Sequence, residues 1–298
     1  MLYIRYVKLD EFINYLITEK HYSTHTVTAY TTDLKQFEQY IKKFFDKKEA
    51  KDVNSDMIRD WIMQLSEDKI SNRSINRKIA SLRTYFHFLI KAQEVKKNPL
   101  LKIAPIKSSK RNPIFIMEDD MDKIIHNIEY EDGFYGDRDK LIIHLLYATG
   151  MRKSELLSLE EKDFDLSKQE LRVFGKRRKE RVIPIGDKII SLFKEYLKKK
   201  KTLGIGEEKL FVNDKNEALS IAQLDKIVKK YLSIANVERK SAHILRHTFA
   251  THLMNEGADI MNVKELLGHQ SLEATQIYTH NTIEKLKSVY KQTHPRSE

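Results

Sequence analysis

Cysteine is absent from this 298-residue chain, which excludes disulfides, zinc-thiolate centres and thiol nucleophiles and gives the protein no need of an oxidising compartment. Also missing is any run approaching the ~20 apolar residues of a membrane span, and Met1 to Asp10 lacks the apolar core of a secretory signal. A soluble, cytoplasmic protein with no membrane partner is expected. There is no Gly-rich phosphate loop and no acidic metal triad, so neither ATP nor a metal is expected as a cofactor. Positive charge, by contrast, is abundant: 54 Lys and Arg stand against 43 Asp and Glu, for a net charge of +11. Such a surplus suits a polyanion, nucleic acid first, although a solvated basic surface on an ordinary enzyme meets the same count.

The length favours two domains of ordinary size. The clearest boundary is Pro105-Ile-Lys-Ser-Ser-Lys-Arg-Asn-Pro113, where two prolines bracket a basic stretch with no apolar periodicity. It divides an amino-terminal domain at 1–106 from a larger domain at 114–298, with a linker at 107–113. Positions 1 to 110 hold 21 basic and 13 acidic residues, so +8 of the +11 lies in the smaller part. Its patterns are helical: Phe12 and Leu16; Tyr30, Leu34, Phe37 and Ile41; Met57, Trp61 and Leu65; and Ile75, Ile79, Leu82, Phe86 and Leu89. Ser23 and Asn54 are candidate caps. Arg73 and Arg77 share a face away from the last stripe, while Tyr85 and Phe88 read as core.

Beyond the boundary, Glu118-Asp119-Asp120 falls where acidic residues favour a helix start. Leu141 to Ala148 is apolar nearly all round and reads as the buried centre of the larger domain, with Gly150 as its stop. Arg152 follows at once, either presented to a ligand or capping carbonyl groups. Glu170 to Phe174 and Arg181 to Ile185 read as two strands around Gly175-Lys-Arg-Arg-Lys179, a cationic connection suited to a phosphate or to protecting a sheet edge. Amphipathic stretches follow near 186–200, 220–234, 242–256, 260–267 and 271–290, so the fold expected is mainly helical with one small antiparallel sheet.

The residues most suggestive of chemistry are His243 and Arg246, three apart on one helix face, with His269 after Gly268 and Tyr278 nine residues further on. Together with Arg152 they form a set that phosphate chemistry explains: guanidinium groups hold a phosphodiester, imidazoles manage protons, and a phenol attacks phosphorus. Each residue has a plainer reading, His269 as a helix cap and Tyr278 as a half-buried core tyrosine. His247 lies four residues after His243, but no Glu sits where a zinc site would need it.

The strings Ala148-Thr-Gly-Met-Arg-Lys-Ser-Glu-Leu156, His243-Ile-Leu-Arg-His-Thr-Phe-Ala-Thr-His-Leu253, Leu266-Leu-Gly-His269 and Thr275-Gln-Ile-Tyr-Thr-His280 resemble those of the tyrosine recombinases, the phage-integrase family. Order, spacing and length look most like its Xer-type chromosome-dimer resolvases. His21-Tyr-Ser-Thr24, Tyr30-Thr-Thr-Asp-Leu34 and Asn98-Pro99 extend the likeness into the amino-terminal domain. The resemblance implies a two-domain DNA clamp, with a SAM-like core-binding domain ahead of the catalytic one. It assigns Arg152 and Arg246 as paired phosphate ligands, Lys176 as the hairpin lysine, His243 and His269 as the two histidines, and Tyr278 as nucleophile. The family's Gly-Lys-Gly is Gly175-Lys-Arg177 here, so Lys176 and Lys179 both stay open as the general acid.

The implied reaction passes through a 3′-phosphotyrosyl link and needs no ATP or metal. Its implied partners are double-stranded DNA at a specific site, four protomers on two duplexes, alone or with a second recombinase, and a septal DNA translocase as activator. The apolar spacing of Ile283, Leu286 and Val289 fits docking on a neighbouring protomer or on the same domain. Integration or excision of a mobile element would use the same chemistry. A helical DNA-binding protein without catalysis would share the charge but gives no reason for these residues at these separations.

Overall fold

Short polar side chains start the helices of the first part of the chain. Ser23 accepts a hydrogen bond from the Thr26 backbone N–H at the head of the helix Thr24–Phe45, Asn54 accepts from Asp56 and Met57, and Ser71 accepts from Ser74, each satisfying N–H groups that a helix start leaves without partners. The computed structural model describes residues 9–46, 49–107, 114–175, 180–206, 209–235, 237, 238 and 240–268. It divides into two units, Met1–Arg111 and Asn112–Glu298.

In the first unit the helices are α1 (Leu9–Thr18), α2 (Thr24–Phe45), α3 (Ser55–Glu67) and α4 (Asn72–Lys91). Phe12, Leu16, Leu34, Phe37, Ile41, Trp61, Leu65 and the full α4 stripe are buried together, and Tyr85 and Phe88 join that core beside Phe12. Two expected positions differ. Ile58 rather than Met57 takes the inward place on α3, because Trp61 and Leu65 align with it at helical spacing, and Tyr30 is only partly buried.

The start of the basic boundary stretch is held to α4. Asn76 both accepts from the Ile106 N–H (2.8 Å) and donates to its carbonyl (2.9 Å), while Asn72 donates to the Lys107 carbonyl (2.9 Å). Residues 108–113 lie outside the described residues.

The second unit begins with α5 (Glu118–Asp122), whose acidic first turn meets the positive end of the helix. Then come α6 (Phe134–Thr149), α7 (Lys153–Ser158), a sheet of β1 (Phe164–Asp165), β2 (Glu170–Phe174) and β3 (Glu180–Pro184), and α8 (Asp187–Thr202), α9 (Ile221–Tyr231), α10 (Ala242–Asn255) and α11 (Ile260–Leu267). The sheet is antiparallel in the order β1-β2-β3, with Val173 opposite Arg181. α6 is buried on every side from Leu141 to Thr149 and packs against α8 and α10. It ends at Gly150, which is left-handed (φ 56°). A Cβ there would lie 2.4 Å from the Phe249 ring of α10 and 2.8 Å from Leu267 of α11. Only glycine lets the chain leave the core at that point with both helices against it.

A second device fixes α10. Both peptide groups of Ile116 are taken up by its side chains: Thr248 Oγ1 accepts the N–H (2.9 Å) and His252 Nε2 donates to the carbonyl (2.9 Å). A carbonyl only accepts, so Nε2 carries the proton of the neutral ring and Nδ1 accepts from the Tyr147 hydroxyl of α6 (3.0 Å). Burial lowers the His252 pKa, against the opposing pull of the Ile116 carbonyl and of Glu118, Asp122 and Glu256. A base whose folded-state pKa is depressed supports the fold fully above its ordinary value of about 6.5 and loses that support as pH falls through the folded value. Denaturant midpoints should therefore fall between pH 7.5 and 5.5, and His252→Gln, which still donates to Ile116, should flatten that fall. An equal pH slope in both proteins would remove His252 as its cause.

Candidate active site

Arg152 sits at the N-cap of α7, where a side chain is delivered to the surface directly from the buried end of α6. It is held there by Glu155. The Glu155 carboxylate accepts from the Arg152 backbone N–H (2.8 Å) and from its Nη1 (2.8 Å), and it also takes a two-pronged bond from Arg181 of β3 at 3.1 and 2.7 Å. Burial alone would raise the pKa of this carboxyl group, but the bonds and charges of Arg181 and Arg152 outweigh it and hold the group below the usual carboxylate range. Glu155 is thus an anion at neutral pH. The two readings left open for Arg152 turn out to be compatible: its Nη2 donates to the Gly268 carbonyl (3.2 Å), yet its side chain keeps 41% of its exposure.

Arg246 reaches the same place from α10. It is buried, and its two terminal nitrogens donate to the carbonyls of Gly150 (2.6 Å) and Leu267 (2.7 Å). Leu267 and Gly268 are consecutive, so the last carbonyls of α11 carry one guanidinium each. The negative end of the helix dipole favours cations there. Burial, followed by repulsion from Arg152 and Arg181, pushes the Arg246 pKa down to about 10, with Glu155 working the other way. The group stays cationic at neutral pH. Arg152 and Arg181 bond the Glu155 carboxylate, Arg246 lies within the field of all three, and among the described residues this excess of positive charge makes the cluster a candidate anion site.

Of the six residues expected in the site, three lie among the described residues and three outside them. Arg152 and Arg246 are brought together, from α7 and α10. His243 lies one turn before Arg246 on α10, is exposed, and sets its ring edge-on to that of His247 with centroids 4.7 Å apart. Lys176 lies outside the described residues, as do Lys179, His269, Tyr278, His280 and the stretch 271–290. Sequence reasoning gave no role to Glu155 or Arg181. A signal for Arg181 existed, because it occupies the same strand face as Ile183 and Ile185, an inward position where a lone charge requires a partner. Among the described residues no helix is long and apolar enough to cross a membrane.

The paired arginines at one helix end of this mainly helical protein are suited to holding an anion such as a phosphate, and comparison with known proteins gives its family. Residues 115–285 match the phage integrase family, and 9–93 match the SAM-like amino-terminal domain of phage integrases. The chain is 36% identical to the tyrosine recombinase XerC of Pelotomaculum thermopropionicum, across 98% of this chain and 99% of that one. It is 37% identical to the XerC of Thermodesulfovibrio yellowstonii, across 97% and 96%. Among solved structures it is similar to the XerH site-specific recombinase bound to a palindromic difH substrate in a post-cleavage complex, with a TM-score of 0.72 and 26% identity, covering 95% of this chain and 83% of that one. The chain belongs to the phage integrase family of tyrosine recombinases. It is a site-specific recombinase, an enzyme that cleaves and rejoins DNA strands.

Proposed function

We propose that the protein exchanges strands at a specific chromosomal site in the manner of Xer recombinases, through a 3′-phosphotyrosyl intermediate on Tyr278. The observation that supports this most directly is the convergence of Arg152 and Arg246 on the adjoining carbonyls of Leu267 and Gly268, immediately before His269 in sequence. Two planar donor forks held on one rigid helix end suit the non-bridging oxygens of a phosphodiester, whose charge grows in the five-coordinate transition state.

In this reading the Tyr278 oxygen forms a bond to phosphorus as the bond from phosphorus to the 5′-oxygen breaks. A phenol with a pKa near ~10 is only about 0.1% ionised at neutral pH, so its proton must be taken up, and His243 is the acceptor. Lys176, with Lys179 as the competing candidate, returns a proton to the departing 5′-oxygen. His269 supports the phosphate. The phosphotyrosyl bond keeps the energy of the diester, so a 5′-hydroxyl from another strand reverses the attack without ATP or a metal.

The chain binds double-stranded DNA at its recombination site, and recombination of two duplexes takes four protomers, of this chain alone or with a second recombinase. The amino-terminal domain at 1–106 and the catalytic domain at 114–298 both contribute to that grip, so affinity should fall steeply with salt. Resolution of chromosome dimers in the cytoplasm, with a septal DNA translocase as activator, is the biological role that best fits relatives named XerC.

Sequencing the DNA covalently trapped on the protein in cells identifies the site. A nicked duplex of that sequence, incubated with the protein in chelator and without nucleotide, should yield a covalent adduct that Tyr278→Phe abolishes. An adduct that persists in Tyr278→Phe, or that requires added metal, would sink the mechanism.

A further inference from the structure

Arg181 is a fully committed cation with no part in the chemistry just described. It stands on β3, buried, and all three arms of its guanidinium are used: Nη1 and Nη2 clasp the Glu155 carboxylate, and Nε donates to the Leu266 carbonyl at 2.8 Å. Its side chain also fills the space beside Gly268, where a Cβ would lie 3.5 Å from Arg181 Cδ and Nη1. Among the described residues, each of these bonds leads to a group that holds Arg152 or adjoins the carbonyls that hold Arg152 and Arg246. Glu155 grips Arg152 twice, and the Leu266 carbonyl belongs to the same last turn of α11 whose next two carbonyls hold Arg246 and Arg152.

We propose that Arg181 is a positioning residue for strand cleavage: it locks Glu155 and the end of α11 so that the Arg152 guanidinium is held at the phosphate. The inference rests on the reading of Arg152 as a phosphate ligand. Without Arg181, Glu155 keeps Arg152 as its partner but loses the two bonds that fix the carboxylate plane, so Arg152 can swing with it. Lysine cannot substitute, because one ammonium cannot make a planar two-pronged bond and reach the Leu266 carbonyl at once.

The test is a cycle of Arg181→Lys and Arg152→Lys, alone and combined, read as single-turnover adduct formation at saturating nicked duplex. Arg181→Lys should slow the reaction by about 10- to 100-fold, the size expected when a reacting group is misplaced by a fraction of its reach, with DNA affinity changed less than about threefold. Its further effect in the Arg152→Lys background should shrink to within about threefold, because two residues acting through one group do not add. General loosening of the fold would multiply instead of shrinking, and that outcome overturns the proposal, as does a single variant as fast as the wild type. If Arg181→Lys does not fold, Glu155→Gln takes its place in the same cycle with the same expectations. An Arg152→Lys protein that cleaves at the wild-type rate overturns the phosphate reading itself, whereas a slow Arg152→Lys beside an unaffected Arg181→Lys overturns this inference alone.

Discussion

Arg246→Ala should form the covalent adduct about 10²- to 10³-fold more slowly than the wild type, the loss expected when one preorganised donor to a developing oxyanion is removed. The geometry explains why so much rests on one side chain. A guanidinium carries five N–H donors, and two of those on Arg246 are spent on the Gly150 and Leu267 carbonyls. Those bonds tie it to the end of α6 and the end of α11 and aim what remains of its fork. In the proposed mechanism no reorganisation is then needed when charge builds on the phosphate. Burial has already lowered its pKa and stripped it of water, so an incoming anion meets a cation whose desolvation has been borne by folding. Lysine would keep the charge but could not hold two carbonyls and a phosphate oxygen together, so Arg246→Lys should recover little of the rate. The measurement is single-turnover adduct formation with DNA affinity determined in parallel. Affinity should change far less than rate, since many other cations contact the backbone of a duplex. A lysine variant at full speed would mean that charge alone, rather than the aimed fork, is what the site requires.

Much of this arrangement was legible before any coordinates. The buried run from Leu141 to Ala148, the stop at Gly150 and the helix at 260–267 follow from apolar periodicity and glycine placement, because each is a strong local signal. The strands expected at 170–174 and 181–185 form at 170–174 and 180–184. β1 was not legible, since two residues, Phe164 and Asp165, are too short to show alternation and are recruited by pairing with Leu171 and Glu170. In the site, Arg152 and Arg246 carried recognisable strings, but Glu155 and Arg181 did not, for a physical reason. Their importance lies in a contact between α7 and β3, 26 positions apart in sequence, and nothing local in either segment encodes it. Met57 failed for a smaller reason: a helical stripe is several residues wide, and Ile58 fits the same stripe with Trp61 and Leu65.

The first unit carries its own buried charge cluster, and breaking it should cost about 3 to 5 kcal/mol of stability, the range for leaving one member of a buried ion pair without its partner. Asp33 of α2 is wholly buried between two cations of α4. Lys78 Nζ lies 3.0 Å from Oδ1, and Arg77 bonds Oδ2 while also reaching the Ala29 carbonyl. Lys78 is itself buried, with the Gln36 side-chain oxygen as its other acceptor and the Trp61 ring 5.9 Å away. Asp33→Ala would leave that ammonium in the core with a neutral acceptor only, whereas Arg77, 43% exposed at its side chain, would turn to water. The asymmetry makes a sharp test. Asp33→Ala should lower the urea midpoint by roughly 1 to 5 M, given slopes of about 1 to 3 kcal/mol/M. The double replacement Asp33→Ala with Lys78→Met should recover most of it, because an apolar pair in place of a buried ion pair is often neutral. Trp61 is the chain's single tryptophan and lies in this same core, so its fluorescence reports this unit's unfolding. If Asp33→Ala left that transition unmoved, the carboxylate could not be what compensates Lys78, and the α2–α4 contact would have to rest on its apolar stripe alone.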